Sequence, residues 1–253
     1  MKYPQTLALD FDGVLCNGLR EYFQTTWRTY CQVWPTSTGN PPEEVAQPFY
    51  RLRPVVETGW EMPVLLRAIL KGFPEEDVLR DWVAIRDRVI VEDDLNPKTL
   101  AKQVDTVRDR WLNTDLETWL SLHSFYDGVI PKLQALDQQL PIFIITTKES
   151  RFVKALLAQA GITIPDERLF GKDCRRPKAD TLRQLNAPKP IWFIEDRLAT
   201  LQTIKQQPDL LETRLFLGDW GYNTAQQQQA AERDPRIHRL SLAQFQQDFS
   251  AWI

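Results

Sequence analysis

Histidine and cysteine are scarce in this chain of 253 residues, and their scarcity excludes several kinds of active site. The only histidines are His123 and His238, so a zinc site with three histidines is impossible. A Ser-His-Asp triad would have to use one of these two. The three cysteines, Cys16, Cys31 and Cys174, are too few for a disulfide scaffold or a four-cysteine zinc site. If the chain is an enzyme, we therefore expect carboxylates to carry its chemistry.

The chain also lacks a strong net charge and a long hydrophobic run. Its 31 basic and 34 acidic side chains leave a formal charge of −3, which gives no electrostatic reason to expect nucleic acid or an anionic membrane as a partner. The longest apolar stretch, 140–145, is far shorter than the roughly 20 residues that span a bilayer. Acidic residues follow the N-terminus before any signal-peptide pattern develops. We expect a cytoplasmic protein that binds neither nucleic acid nor a membrane.

Short apolar runs that end in polar residues predict strands. They lie at 6–9, 142–145, 191–194 and 215–217. Helical patterns separate them, one of which has Ser150 as a predicted N-cap and Gly161 as its stop. This alternation predicts an α/β fold with a Rossmann-like parallel sheet covered on both faces. Ligands of such sheets bind beyond the carboxyl ends of the strands.

Residues 16–124 show helical spacing and no comparable strand run. Apolar residues at three- and four-residue spacing predict a helix over 20–33, a second opened by Pro74 and continuing through Val89, and a third opened by Asn96 and Pro97. Six of the nine tryptophans fall in this segment, and we expect them to form its core. We predict an all-helical domain, 16–124, inserted into a core domain that comprises 1–15 and 125–253.

Polar side chains follow three of the predicted strands. The acidic pair Asp10 and Asp12 follows the first of them, but taken alone it is equally consistent with side chains that cap a turn. Phosphoryl transfer through a carboxylate, however, needs a whole set of groups, because the carboxylate and the phosphate are both anions. A cation must bridge the two, and further donors must hold the phosphoryl oxygens. The sequence offers such a set in Asp10, Asp12, Thr146, Lys178, Glu195 and Asp196.

Several stretches carry a family resemblance. Four stretches resemble successive motifs of the haloacid dehalogenase superfamily, namely LDFDGVL, FYDGVIPKLQALDQQLPIFIITTK, RPKADTLRQL and FIEDR. A later stretch, GDWGYN with RIHRLSLAQF, is similar to the end of the core domain in phosphoglycolate phosphatases. The chain most resembles the subgroup of phosphoglycolate phosphatases and beta-phosphoglucomutases, which carry a helical C1-type cap. The resemblance covers 1–18 and 122–253. In the cap it extends to the architecture only.

The resemblance implies a role for each matching residue. Asp10 would be the nucleophile that forms an aspartyl-phosphate, and Asp12 would protonate the leaving group and then deprotonate water. Thr146 and Lys178 would bind phosphoryl oxygens. The implied cofactor is Mg²⁺.

The resemblance places this Mg²⁺ between the Asp10 carboxylate, the backbone carbonyl of Asp12 and Asp196. The family often has a second acid four residues after the last of these, where this chain has Thr200. Glu195 would replace that acid, directly or through water. The alternative is that Glu195 only pairs with Arg197 or Lys148.

The third motif departs from the Lys-Pro-x-Pro form of the family. Lys178 therefore competes with Lys172 and Arg176 for the phosphate-binding role. Its place at the start of a predicted helix favours Lys178.

Two arginines in the predicted cap, Arg51 and Arg53, are candidates for substrate binding. Arginine suits a carboxylate or a second phosphate group. The alternative is that they are surface or helix-pairing residues.

We therefore predict a Mg²⁺-dependent phosphatase that acts on a small phosphorylated metabolite, with the cap choosing the substrate. One alternative is a phosphosugar mutase of the same mechanism. Another is a catalytically silent binding protein that keeps the fold. Whether the protein is a monomer or a homodimer stays open.

Overall fold

The computed structural model describes residues 3–34 and 39–252, which form two compact units. One unit comprises Gly18–His123, and the other comprises Met1–Asn17 with Ser124–Ile253. Residues 1, 2, 35–38 and 253 lie outside the described parts of the chain.

The unit 18–123 is helical throughout its described residues. Its seven α-helices are α1 (Leu19–Val33), α2 (Glu43–Leu52), α3 (Glu61–Leu70), α4 (Glu75–Arg80), α5 (Trp82–Glu92), α6 (Pro97–Thr114) and α7 (Leu116–Ser121). As the spacing of apolar residues predicts, the tryptophans belong to its core: five of the six are buried, namely Trp27, Trp34, Trp82, Trp111 and Trp119. These rings contribute much of the apolar area that the unit removes from water.

One helix prediction in this unit is wrong. The helix expected from Pro74 through Val89 is broken at Asp81 into α4 and α5, because Asp81 leaves the helical region and caps α5 by accepting a hydrogen bond from the Ala84 amide. Aspartate competes for backbone donors in this way. The third predicted helix begins as expected, since the Asn96 side chain accepts from the amides of Lys98 and Thr99.

The described strands of the other unit are β1 (Thr6–Leu9), β2 (Cys16–Asn17), β3 (Ser124–Phe125), β4 (Ile142–Ile145), β5 (Leu169–Phe170), β6 (Ile191–Glu195), β7 (Arg214–Gly218) and β8 (Ile237–Leu240). Six of them form a parallel sheet in the order β5-β4-β1-β6-β7-β8. The four predicted strands are confirmed within one residue at each end, and β1 pairs on both sides, with Leu7 opposite Ile142 and Trp192. All residues of β1, β4 and β6 are buried, as expected for a sheet covered on both faces.

Strands β2 and β3 form a separate antiparallel ladder in which Cys16 lies opposite Phe125. Two-residue strands leave no periodic pattern in a sequence, so nothing there predicted this ladder. The sheet is flanked by helices α8 (Val129–Asp137), α9 (Ser150–Gln159), α10 (Lys178–Gln184), α11 (Leu198–Lys205), α12 (Ala225–Glu232) and α13 (Leu242–Phe245). In the described parts of the chain, no helix is long and apolar enough to cross a membrane.

The N-cap prediction for α9 is also wrong. Glu149 is the N-cap, and Ser150 is the first helical residue. The Ser150 amide and hydroxyl both donate to the Asp173 carboxylate, which supplies the acceptor that a capping side chain would otherwise provide. The helix ends as predicted, with Gly161 in the left-handed region at φ 74°.

Candidate active site

The carboxyl ends of three neighbouring strands bring the predicted polar residues to one edge of the sheet. Asp10 follows β1, Thr146 follows β4, and Glu195 and Asp196 end and follow β6. The Asp10 amide donates to the Ile194 carbonyl at 2.9 Å, which continues the β1–β6 ladder into the site. All four side chains are buried. The topology therefore collects three carboxylates and a hydroxyl where ligands of parallel sheets bind.

Lys178 is the cation at the centre of this group. It begins α10, and its Nζ lies 2.8 Å from Asp10 Oδ1 and 2.6 Å from Glu195 Oε2. Its two competitors from the third motif, Lys172 and Arg176, are exposed. The structure thus brings Lys178, and neither competitor, to the predicted nucleophile.

Glu195 has protein partners on both carboxylate oxygens. Oε2 accepts from Lys178, and Oε1 accepts from the backbone amide of Arg197 at 3.1 Å. The Lys148 ammonium, the other candidate partner of this acid, lies against Asp12. Glu195 therefore anchors the lysine that faces the nucleophile.

Burial and mutual repulsion perturb the three carboxyl groups. Burial, followed by the charge of Glu195, raises the pKa of Asp10 to about 7. Burial, followed by the charge of Asp10, raises the pKa of Asp196 to about 6. Burial also raises the pKa of Glu195. Burial acts to lower the pKa of Lys178, but the carboxylates of Asp10 and Glu195 outweigh it and raise that pKa. The cluster thus holds more negative charge than one ammonium neutralises.

The loop after β7 holds Asp196. The Tyr222 amide donates to Asp196 Oδ2 at 2.8 Å, and Asn223 Nδ2 donates to the Asp196 carbonyl at 3.1 Å and to the Gly218 carbonyl at 2.8 Å. Gln228 in turn donates to Asn223 Oδ1. These residues lie in or follow the GDWGYN stretch, which the sequence singled out without assigning roles.

Two glycines allow this loop and the β1 loop to meet at Asp196. Gly13 has φ 86°, and a Cβ there would lie 2.1 Å from Asp196 Oδ2. A Cβ on Gly221 would lie 2.3 Å from Asp196 Cβ and 2.4 Å from the Gly13 carbonyl oxygen. Only glycine fits such a close approach.

Asp12 and Thr146 meet Lys148, a residue that the sequence offered only as a possible partner of Glu195. Its Nζ lies 3.1 Å and 3.2 Å from the two carboxylate oxygens of Asp12. Thr146 Oγ1 accepts from the Lys148 amide at 3.1 Å. The place of this lysine two residues after Thr146 was the available signal.

Arg51 and Arg53 belong to the helical unit, where both have partners. Arg51 is exposed and donates two hydrogen bonds to the Glu75 carboxylate. Arg53 is buried, donates to the Val56 carbonyl and lies over the Tyr22 ring. Their role in substrate binding stays a prediction.

The acidic cluster fits a hard divalent cation. Oxygens of Asp10, Glu195 and Asp196 lie within 4.8 Å of one another. Carboxylate oxygens are the ligands that Mg²⁺ prefers. A bound cation would offset the burial and the mutual repulsion that together raise the pKa of Asp10 and of Asp196.

Comparison with known proteins places this geometry in a family. A family model described as haloacid dehalogenase-like hydrolase matches residues 4–206. No curated protein sequence matches the chain.

Solved structures share the fold at low sequence identity. A haloacid dehalogenase-like family hydrolase from Streptococcus pneumoniae is 14% identical with a TM-score of 0.55, and the alignment covers 94% of each chain. A predicted phosphatase from Clostridium acetobutylicum is 15% identical with a TM-score of 0.56, over 97% of each chain. A predicted phosphoglycolate phosphatase from Haemophilus somnus is 15% identical with a TM-score of 0.56, over 94% of each chain. Since the family model covers most of the chain and the same fold recurs in these structures, this protein belongs to the haloacid dehalogenase-like hydrolases.

Proposed function

We propose that this hydrolase is a Mg²⁺-dependent phosphatase that cleaves a small phosphorylated metabolite through an aspartyl-phosphate on Asp10. The observation that carries the proposal is the Asp10–Lys178–Glu195 arrangement, in which one ammonium, on a side chain that is 13% exposed, contacts the nucleophile and the acid beside it. A carboxylate can attack a phosphate dianion only where cations offset the repulsion between them. The phosphatase names of two structures with this fold agree with the proposal.

Asp10 and Asp196 are the proposed side-chain ligands of Mg²⁺, with the Asp12 backbone carbonyl as a third protein ligand. We assign Glu195 to Lys178 rather than to direct ligation, because both of its oxygens already accept hydrogen bonds from the protein. The bound ion would supply neutralising charge between the Asp10 carboxylate and the phosphoryl group.

In the first half-reaction, an oxygen of the Asp10 carboxylate attacks phosphorus and the bond from phosphorus to the alkoxide oxygen breaks. The proton on the Asp12 carboxyl moves to that leaving oxygen, so an alcohol departs. Thr146 and Lys178 donate hydrogen bonds to the phosphoryl oxygens. Thr146 is buried and the Lys178 side chain is 13% exposed, so little water competes for these donors and each interaction is strengthened.

In the second half-reaction, the ionised Asp12 removes a proton from a water molecule, and the resulting hydroxide attacks phosphorus. The bond between phosphorus and Asp10 breaks, which returns the carboxylate and releases inorganic phosphate. Asp12 is again protonated and ready for the next substrate.

Hydrolysis of p-nitrophenyl phosphate tests the proposal. We expect activity that needs Mg²⁺, that EDTA abolishes, and that Asp10→Asn reduces by at least about a thousandfold, because the nucleophile is lost. The matched control is Asp109→Asn, which changes an exposed aspartate of α6 and should keep full activity. Activity that persists in EDTA, or in Asp10→Asn, would contradict the mechanism.

A further inference from the structure

Lys148 is a second ammonium at the site, and it serves a different carboxylate from Lys178. Its Nζ lies 3.1 Å and 3.2 Å from the two oxygens of Asp12, so it bridges that carboxylate. The Lys148 side chain is 8% exposed and that of Asp12 is 19% exposed. Such a partly desolvated pair is screened less than a surface pair.

The backbone from which Lys148 projects is held on both sides. Its amide donates to Thr146 Oγ1 at 3.1 Å, and its carbonyl accepts from the Lys172 amide at 2.9 Å. A Cβ on Gly171 would lie 2.6 Å from that carbonyl oxygen, so the loop after β5 packs directly against the loop after β4. The ammonium therefore reaches Asp12 from a braced loop rather than from a free surface segment.

The Asp12 carboxyl group needs a contact that fixes its orientation. Aspartate has two rotatable side-chain bonds and several staggered conformers. Proton transfer requires the carboxyl oxygen and the leaving oxygen to approach to about 2.6–3.2 Å. A carboxyl group that sampled other conformers would miss this approach in most encounters.

We propose that Lys148 is a positioning residue that holds the Asp12 carboxyl in the orientation from which it protonates the leaving group. This inference rests on the proposed phosphatase function. Lys148 exchanges no proton in the step. Its ammonium donates a hydrogen bond to Asp12, and it keeps a bond to one carboxyl oxygen when the other oxygen carries the proton. That proton passes to the leaving oxygen, which also keeps the electron pair of the broken phosphorus–oxygen bond.

The dependence of the rate on the leaving group separates this role from phosphate binding. A nitrophenolate departs as a stable anion and gains little from a proton donor, whereas an alkoxide departs only when it is protonated. Loss of Asp12 positioning therefore slows alkyl phosphates selectively. Loss of a phosphate-binding cation slows both kinds of substrate by the same factor, because both carry the same phosphoryl group.

The experiment measures kcat/KM for glycerol 2-phosphate and p-nitrophenyl phosphate in the wild type, Lys148→Met and Lys148→Arg. This ratio reports the steps up to phosphoryl transfer to Asp10, so slow hydrolysis of the intermediate does not mask the effect. For Lys148→Met we expect a loss of roughly tenfold or more on the alkyl ester and less than about threefold on the aryl ester, a part of what general acids contribute. Lys148→Arg should recover part of the alkyl rate because it keeps the charge.

Lys154→Met is the matched control, because it removes a lysine of α9 that pairs with Asp166 at the surface. It should change neither rate. Asp12→Asn removes the proposed acid itself, so it should show the largest difference in kcat/KM loss between the two substrates. If Lys148→Met does not fold, Lys148→Gln removes the charge, keeps a polar side chain and serves the same comparison.

Equal losses on the two substrates, or no loss on either, would overturn the positioning role. So would a crystal structure of Lys148→Met with the Asp12 side chain in its wild-type conformer. These results differ from a failure of the proposed function, in which the wild type hydrolyses neither ester or Asp10→Asn stays active. If the proposed function fails in this way, the positioning role of Lys148 fails as well.

Discussion

At the scale of single residues, one lysine contacts two of the three carboxylates buried at the carboxyl edge of the sheet. Lys178 contacts Asp10 and Glu195, while the neighbouring Asp196 takes its hydrogen bond from a backbone amide. Removing one partner of a buried ion pair strongly destabilises a protein, because the other charge is left buried without compensation. The loss of Lys178 should therefore affect stability as well as catalysis.

We predict that Lys178→Met lowers the free energy of unfolding by roughly 3 kcal/mol at pH 8, as is usual when a buried pair loses one partner. The penalty should shrink at pH 5, where Asp10 and Glu195 can accept protons because burial already raises the pKa of both. Urea unfolding of the metal-free protein at the two pH values measures the difference.

Lys172→Met and Arg176→Met are the controls for this change, since both side chains are exposed on the loop that leads to α10. Neither should shift the unfolding midpoint noticeably. A Lys178→Met protein as stable as the wild type at pH 8 would show that the lysine does not compensate these carboxylates.

At the scale of elements, the site depends on loops that approach one another more closely than side chains permit. Gly221 brings the loop after β7 against Asp196 and against the Gly13 carbonyl. The Tyr222 amide then reaches Asp196 Oδ2. The orientation of this carboxylate is thus set by a neighbouring loop, much as outer contacts orient metal ligands in general.

We predict that Gly221→Ala displaces Asp196 and raises the Mg²⁺ concentration needed for half-maximal activity by roughly tenfold or more. Calorimetric titration with Mg²⁺ alone should show the same weakening. Gly59→Ala is the matched control: a Cβ there meets nothing within 4 Å, and the variant should bind Mg²⁺ like the wild type. Unchanged Mg²⁺ binding in Gly221→Ala would mean that the loop does not orient the ligand.

Elements with strong local patterns could be predicted from the sequence. The apolar runs before Asp10, Thr146 and Glu195 each form a buried strand, and the topology of a parallel sheet then brings their ends together. Features that depend on distant partners could not. The break at Asp81 comes from a side-chain cap within an unbroken apolar stripe. The contact of Lys148 with Asp12 depends on where the fold places Asp12.

At the scale of the whole molecule, stability should depend on pH through the buried acids. The pKa of Asp10 is about 7 and that of Asp196 about 6 in the folded protein, both above the ordinary value of 3.8. The folded state therefore binds protons more tightly than the unfolded state at these groups. The stabilising contribution of these groups to the free energy of unfolding is fully present below their pKa in the unfolded chain. It is lost as the pH rises through their pKa values in the folded protein.

We predict that the melting temperature of the metal-free protein falls between pH 5 and pH 8, where these two groups lose their protons. Asp10→Asn should flatten this decline, because its amide does not titrate. Saturating Mg²⁺ should raise the melting temperature most at pH 8, where the carboxylates are charged. Calorimetric scans in EDTA and in Mg²⁺ provide the measurement, and a decline that is as steep in Asp10→Asn would assign the effect to other groups.

The proposed mechanism requires Asp10 itself to carry the phosphoryl group during turnover. Rapid acid quenching of the protein during turnover of p-nitrophenyl phosphate, followed by mass spectrometry of its peptides, tests this most directly. We expect one added phosphoryl group on the peptide that contains Asp10, and none in Asp10→Asn treated in the same way. A phosphoryl group on another residue, or turnover with no phosphorylated peptide at any quench time, would contradict it.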